Sequence, residues 1–149
     1  LLRALKKEGL HTAVDTSGCF SLTDKIKEVI DLADLFLLDI KCINDEKCID
    51  LTSVSNQNEL QFARYLSSIG KPMWIRQVLV PGYTDDEQDL KELKKFIDSL
   101  SSVQKVEILP YHDLGKFKWQ ELDLNYPLEG VRTANAEDVK RAKQILGIN

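Results

Sequence analysis

Cysteine is scarce in this sequence, and what there is does not form a site. The three thiols, Cys19, Cys42 and Cys48, are odd in number. Five residues separate Cys42 from Cys48, and Cys19 lies far upstream. No C-x2-C or H-x3-H spacing exists, which excludes a zinc-type centre on this chain. A sparse, odd set of thiols suits a reducing compartment better than a disulfide framework and predicts a cytoplasmic protein. Long apolar runs are missing too. The strongest, residues 35–38, is flanked by Asp34 and Asp39 and falls far short of the roughly 18 residues of a membrane span. No secretory leader is legible. Charge of one sign is not in excess: 20 basic against 24 acidic residues leave a net charge of −4. That gives none of the basic footprint by which a protein releases counterions from nucleic acid. Walker, GxGxxG and GxSxG patterns are all absent, as are linkers and low-complexity stretches.

What is present is a balanced globular composition. Of 149 residues, 30% are charged and 43% apolar, enough to bury a core as one domain over residues 1–149. The first nine residues read as the second half of an amphipathic helix closed by Gly9. A chain that opens inside a helix is expected to be part of a longer one. Residues 11–15 then read as a short strand running into the turn Thr16-Ser17-Gly18. Thr23 caps a helix with Ile26, Val29, Ile30 and Ala33 at helical spacing. Residues 35–40 form a continuous apolar run of the kind buried on both faces of a parallel sheet.

A polar stretch at 44–58 precedes a helix bearing Leu60, Ala63, Leu66 and Ile69. Pro72 opens a strand over 73–80, and Thr84-Asp85-Asp86-Glu87 reads as a capping box for the helix carrying Leu90, Leu93, Ile97 and Leu100. Residues 103–109 form a fourth strand. A long irregular segment, 113–133, leads to a last helix capped by Asn135. The order αβαβαβαβ, a loop and a helix predicts an α/β fold with right-handed crossovers and four parallel strands.

In such folds chemistry gathers at the carboxyl ends of the strands. Here those ends deliver Asp15 with Thr16, Asp39 with Lys41, and His112. Arg76 sits within the third strand, on the face shared with Trp74, Val78 and Val80. Each residue has a plainer role open to it. Asp15 and Thr16 serve equally to cap a turn, Lys41 to meet solvent, Arg76 to pair with Asp39 or Asp15, and His112 to bond within its loop. The thiols serve as small apolar fillers. Together, however, two carboxylates, an ammonium, a guanidinium, an imidazole and turn hydroxyls suit a zwitterionic, hydroxyl-bearing small molecule.

Four blocks occur in order along the chain. They are Val14-Asp15-Thr16-Ser17-Gly18; Leu38-Asp39-Ile40-Lys41 followed by Asn44-Asp45-Glu46; Trp74-Ile75-Arg76 with Val80-Pro81-Gly82-Tyr83-Thr84-Asp85-Asp86; and Leu109-Pro110-Tyr111-His112-Asp113-Leu114-Gly115-Lys116 with Lys118-Trp119. Together, and on into Tyr126-x-Leu128-x-Gly130-Val131, they resemble the glycyl-radical-enzyme activases of the radical S-adenosylmethionine superfamily, above all the branch serving pyruvate formate-lyase. The resemblance implies an incomplete (β/α)6 partial barrel of the radical-SAM type. It implies a 4Fe–4S cluster held by a C-x3-C-x2-C loop, and reductive cleavage of S-adenosylmethionine to a radical that takes a hydrogen atom from a glycine of the partner enzyme. It implies that Asp39, Ile40 and Lys41 line the S-adenosylmethionine site, that His112 meets the adenosine part, and that Arg76 lies near the carboxylate or sulfonium. Asp15, Thr16 and Asp39 match positions around a monovalent cation. The implied partners are a glycyl radical enzyme such as pyruvate formate-lyase and a reductant of flavodoxin or ferredoxin type, with neither nucleic acid nor membrane.

The sequence departs from that pattern in one respect. The cluster cysteines and a Gly-Gly-Glu strand for the amino group are not in it, and Cys19, Cys42 and Cys48 do not replace the cysteines at these spacings. The chain by itself is therefore expected to be the carboxy-terminal portion of an activase, without its cluster and inactive alone. Three other readings stand beside it: a barrel aldolase forming a Schiff base on Lys41 with Asp39 as acid/base, an activase of another glycyl radical enzyme, and a non-catalytic portion that only binds a partner. Residues 44–58 and 115–119 are where partner contacts are to be sought.

Overall fold

In the computed structural model, which describes residues 1–148, four strands run parallel in chain order. They are β1 (Ala13–Thr16), β2 (Leu35–Ile40), β3 (Met73–Leu79) and β4 (Val103–Pro110). Helix α1 (Leu2–Lys7) leads into β1, and α2 (Asp24–Leu32) joins β1 to β2. Two helices, α3 (Asp45–Thr52) and α4 (Gln57–Ser68), cross from β2 to β3, and α5 (Glu87–Asp98) crosses from β3 to β4. A short α6 (Lys116–Glu121) and a closing α7 (Ala136–Leu146) follow. Each strand pairs with the next in sequence, as helical crossovers between neighbouring parallel strands allow.

The sheet is apolar on one side and mixed on the other. Met73, Ile75, Gln77 and Leu79 of β3 are buried, while Trp74, Arg76 and Val78 between them are half-buried. The buried set joins Phe36, Leu38 and Ile40 of β2 and the inward residues of the helices, Ile30, Leu60, Phe62, Ala63, Leu66, Leu90, Leu93, Ala142 and Leu146, in one core. Helices thus cover one face, and the other carries Asp15, Asp39, Arg76 and Glu107. The alternation of period two is what separates them.

The local signals act as expected at two caps. Thr23 accepts from the Ile26 amide, and Asn135 and Asp138 form a reciprocal capping box at α7. At α5 the expectation is corrected. Asp86, not Thr84, is the N-cap, accepting from Gln88 and Asp89. Thr84 is buried, its hydroxyl accepting from Val80 N at 2.8 Å and donating to Val78 O at 2.7 Å. The turn through Gly82, at φ 80°, folds Thr84 back onto the end of β3 before the helix begins. The polar stretch 44–58 and the segment expected to be irregular, 113–133, also contain helix. Asn44 caps α3 through Lys47 N, and α6 sits inside the 113–133 segment. That segment is tied down by the Tyr111 and Tyr126 hydroxyls, 2.7 Å apart.

Candidate functional site

Two strand ends, those of β1 and β2, and the middle of β3 build one chain of alternating charge. Asp15 on β1 and Asp39 on β2 fall on the same side of the sheet because each stands an odd number of residues from the core-facing positions, next to Val14 and between Leu38 and Ile40. Arg76 stands opposite Asp39 in the β2–β3 register. Its Nε donates to Asp39 Oδ1 at 2.5 Å, and a terminal guanidinium nitrogen pairs with Asp15. Asp39 Oδ2 accepts from Lys41 Nζ at 2.6 Å. The order Asp15–Arg76–Asp39–Lys41 follows.

A planar, forked cation can span two carboxylates on adjacent strands; a lysine at position 76 would reach one. Burial alone would lower the Arg76 guanidinium, but the Asp15 and Asp39 carboxylates outweigh it and raise it further above its ordinary value. Arg76 and Asp39 side chains are 15% and 14% exposed, whereas Lys41 is at 33% and Asp15 at 60%. The centre of the chain is thus sheltered and its two ends are open to a ligand. Beside it on the same face, Lys105 Nζ lies 4.4 Å from the Trp74 ring centroid.

Not every expected residue joins this rim. Ile40 is fully buried in the helix-side core, so its main chain is what it offers the rim. Thr16 turns its hydroxyl to accept from Gly18 N at 3.1 Å, inside its own turn. His112 is exposed just past β4 and makes no hydrogen bond or ion pair to the charged chain. Among the described residues no group of three His, Cys, Asp or Glu is placed to hold a metal ion.

The cysteines do not fit an iron–sulfur cluster. Cys42 and Cys48 are 2% exposed. Burial pushes the Cys42 thiol up to about 11 and raises that of Cys48. Cys19 is half-buried on the opposite loop, its thiol donating to Glu59 Oε2 at 3.6 Å.

Three residues beneath the rim escape sequence reasoning. Glu59 and Asn56 are fully buried near the start of α4, and Gln77 is 2% exposed on β3. Glu59 Oε1 accepts from Lys41 N at 3.2 Å, directly behind the charged chain. Burial pushes the Glu59 carboxyl up to about 7, against the pull of the Lys41 amide, the Cys19 thiol and the Lys41 ammonium, and Asp39 adds to the push. One signal was available: helical spacing puts Glu59 on the same stripe as Phe62, Ala63 and Leu66.

No family model matches the chain. Curated relatives do. A pyruvate formate-lyase-activating enzyme of Streptococcus mutans is 46% identical over 151 residues, covering 98% of this chain and 57% of the relative. That of Staphylococcus epidermidis is 47% identical, covering all of this chain and 61% of the relative. The pyruvate formate-lyase 1-activating enzyme of Escherichia coli is 43% identical over 97% of this chain and 59% of the relative. The chain therefore spans about three fifths of the length of the curated relatives it matches.

Among solved structures, a domain of pyruvate-formate lyase-activating enzyme from Bacteroides vulgatus superimposes with a TM-score of 0.80 at 26% identity, over 98% of this chain and 81% of that one. Streptococcus suis SuiB, bound to its precursor peptide SuiA, gives 0.74 at 14% identity over 99% of this chain and 30% of that one, a likeness of fold alone. The resemblance read from the motifs thus holds over nearly the whole chain. The fold is a partial α/β barrel of the radical-SAM type, four parallel strands with flanking helices.

Proposed function

We propose that this chain is the carboxy-terminal portion of a glycyl-radical-enzyme activase, with pyruvate formate-lyase as the enzyme activated, and that its charged rim is part of an S-adenosylmethionine site. The observation that carries the reading is the alternating chain Asp15–Arg76–Asp39–Lys41 on the open face of the sheet. Its residues stand in the very blocks that resemble the activases, and relatives of that name match nearly all of the chain.

The donor set fits the ligand. S-adenosylmethionine carries an ammonium, a carboxylate, a sulfonium and ribose hydroxyls. Lys41 and Arg76 suit its carboxylate; Asp15 and Asp39 suit its cationic groups and hydroxyls. Ile40 contributes main chain, and His112, at the open end of β4, is assigned to the adenosine part. The polar side chains are already paired with one another, so the ligand exchanges partners with them rather than meeting bare charges. A monovalent cation held by Asp15, Thr16 and Asp39 would require Arg76 to withdraw from between the carboxylates. When bound and reductively cleaved, S-adenosylmethionine supplies the group that takes a hydrogen atom from the partner's glycine. The chain's own residues hold and orient it. The cluster ligands belong to a C-x3-C-x2-C loop that the reading requires elsewhere in the full-length protein, in a cytoplasmic setting with a flavodoxin or ferredoxin-type donor.

The test is direct. The full-length, iron-loaded protein is mixed with S-adenosylmethionine, a low-potential reductant and pyruvate formate-lyase. A glycyl radical in the electron paramagnetic resonance spectrum supports the reading. Intact S-adenosylmethionine and no radical overturn it, and borohydride trapping of a carbonyl substrate on Lys41 would favour the aldolase alternative.

A further inference from the structure

Behind the charged rim, on the helix side of the sheet, the main chain leaving β2 is gripped by side chains. Asn56 Nδ2 donates to Cys42 O at 3.0 Å and to Ile43 O at 2.7 Å. Gln77 Nε2 approaches Lys41 O at 3.4 Å. Glu59 Oε1 accepts the Lys41 amide. The three consecutive residues 41–43 are all held in this way. Glu59 reaches the exit of β1 as well. Its Oε2 takes the Cys19 thiol, and Gly18, at φ 70°, packs so closely that an added Cβ would come within 3.4 Å of Glu59 Cα and 3.0 Å of Phe62.

Such an arrangement is costly as packing. Three polar side chains occupy core positions, and Asn56 Oδ1 and Gln77 Oε1 accept no hydrogen bond. An apolar filler would carry no such desolvation cost but would leave the Lys41 amide and the Cys42 and Ile43 carbonyls without these partners. What the polar groups add is direction: they set where two strand exits lie relative to each other.

We propose that Glu59, flanked by Asn56 and Gln77, is the positioning residue of the site, locking the Lys41 main chain and the Cys19 turn to the start of α4 so that Asp15, Asp39 and Lys41 meet at one rim. Its consequence for ligand binding rests on the S-adenosylmethionine reading; the locking itself does not. Glu59 does not touch the rim side chains. The titratable and charged groups facing it are Cys19 from the β1–α2 loop, Asp39 from β2, Lys41 just past its end, and Cys48 from α3.

The test follows the Lys41 amide by nuclear magnetic resonance in the full-length protein, with S-adenosylmethionine affinity measured on the same samples. In the unaltered protein the Lys41 amide proton shifts with pH, with a midpoint at about 7. In Glu59→Gln that titration vanishes while the amide stays protected, because the Gln oxygen still accepts. In Glu59→Ala protection of the Lys41 amide falls by about tenfold or more, and S-adenosylmethionine binds about tenfold more weakly, with Glu59→Gln restoring most of the affinity. Unchanged Lys41 protection in Glu59→Ala overturns the proposal, and so does lost protection with unchanged affinity. If no form binds S-adenosylmethionine, the functional reading fails, and the Lys41 amide data alone then uphold or overturn the locking role.

Discussion

Replacing Glu59 by Gln should change how stability depends on pH. The Glu59 carboxyl is held at about 7 in the folded chain, against an ordinary value of 4.5. A raised folded value means that the folded state holds the proton more tightly than the unfolded one. The stabilisation is therefore fully present below 4.5 and is lost as pH rises through about 7. The difference between the two values corresponds to about 3 kcal/mol, given up between about pH 4 and pH 8. Glu59 is fully buried, so solvent does not screen this effect. The variant keeps the acceptor for Lys41 N and cannot ionise. Urea unfolding at a series of pH values should show the variant gaining on the parent by about 3 kcal/mol across that range. Other groups, such as Asp34 and Asp138 held low by Lys6 and Arg132, contribute equally to both proteins and cancel. Parallel stability curves would refute the reasoning: they would mean that Glu59 ionises near its ordinary value and that burial does not outweigh the pull of Lys41 and Cys19.

Three further outcomes follow from the geometry. Arg76→Met leaves Asp39 sheltered beside Asp15 with only Lys41 as its partner and should cost about 2 kcal/mol in chemical denaturation; a loss below about 0.5 kcal/mol would place the pair in solvent. Gly18→Ala forces a side chain into the left-handed region and against Phe62 and Leu38. It should cost about 2 kcal/mol or more by thermal melting, and a neutral result would mean that the turn relaxes freely. Asn135→Ala removes the acceptor for the Glu137 and Asp138 amides and should destabilise the chain by about 1 kcal/mol, read from the same melts.

The alternation of strands and helices was legible because β2 opens on the apolar run 35–38 and β3 alternates strictly about Arg76. That alternation also carried the rim. Asp39 and Arg76 could be put on one face from sequence, and a pairing with Asp15 was foreseeable. Thr84 was misassigned because a Thr three residues before a Glu has the form of a capping box, while the demand of the Pro81-Gly82 turn for a hydroxyl at the end of β3 is visible only in three dimensions. Helix α3 went unseen because Asn44 and two acidic residues begin it, and only Cys48 is buried along its length. Glu59 was hidden by its type. A carboxylate on an apolar stripe reads as the edge of that stripe until the Lys41 amide is found against it.

The account stands or falls on whether the charged rim handles S-adenosylmethionine. The decisive measurement is the rate of S-adenosylmethionine cleavage by the full-length protein carrying Asp39→Asn or Arg76→Lys, with bound iron assayed in the same samples. The account predicts that each variant keeps the iron of the unaltered protein and cleaves at least about tenfold more slowly, because each breaks the Asp15–Arg76–Asp39–Lys41 chain at its centre. Cleavage at the unaltered rate, or iron lost in proportion to activity, would contradict it and leave the rim as structure alone.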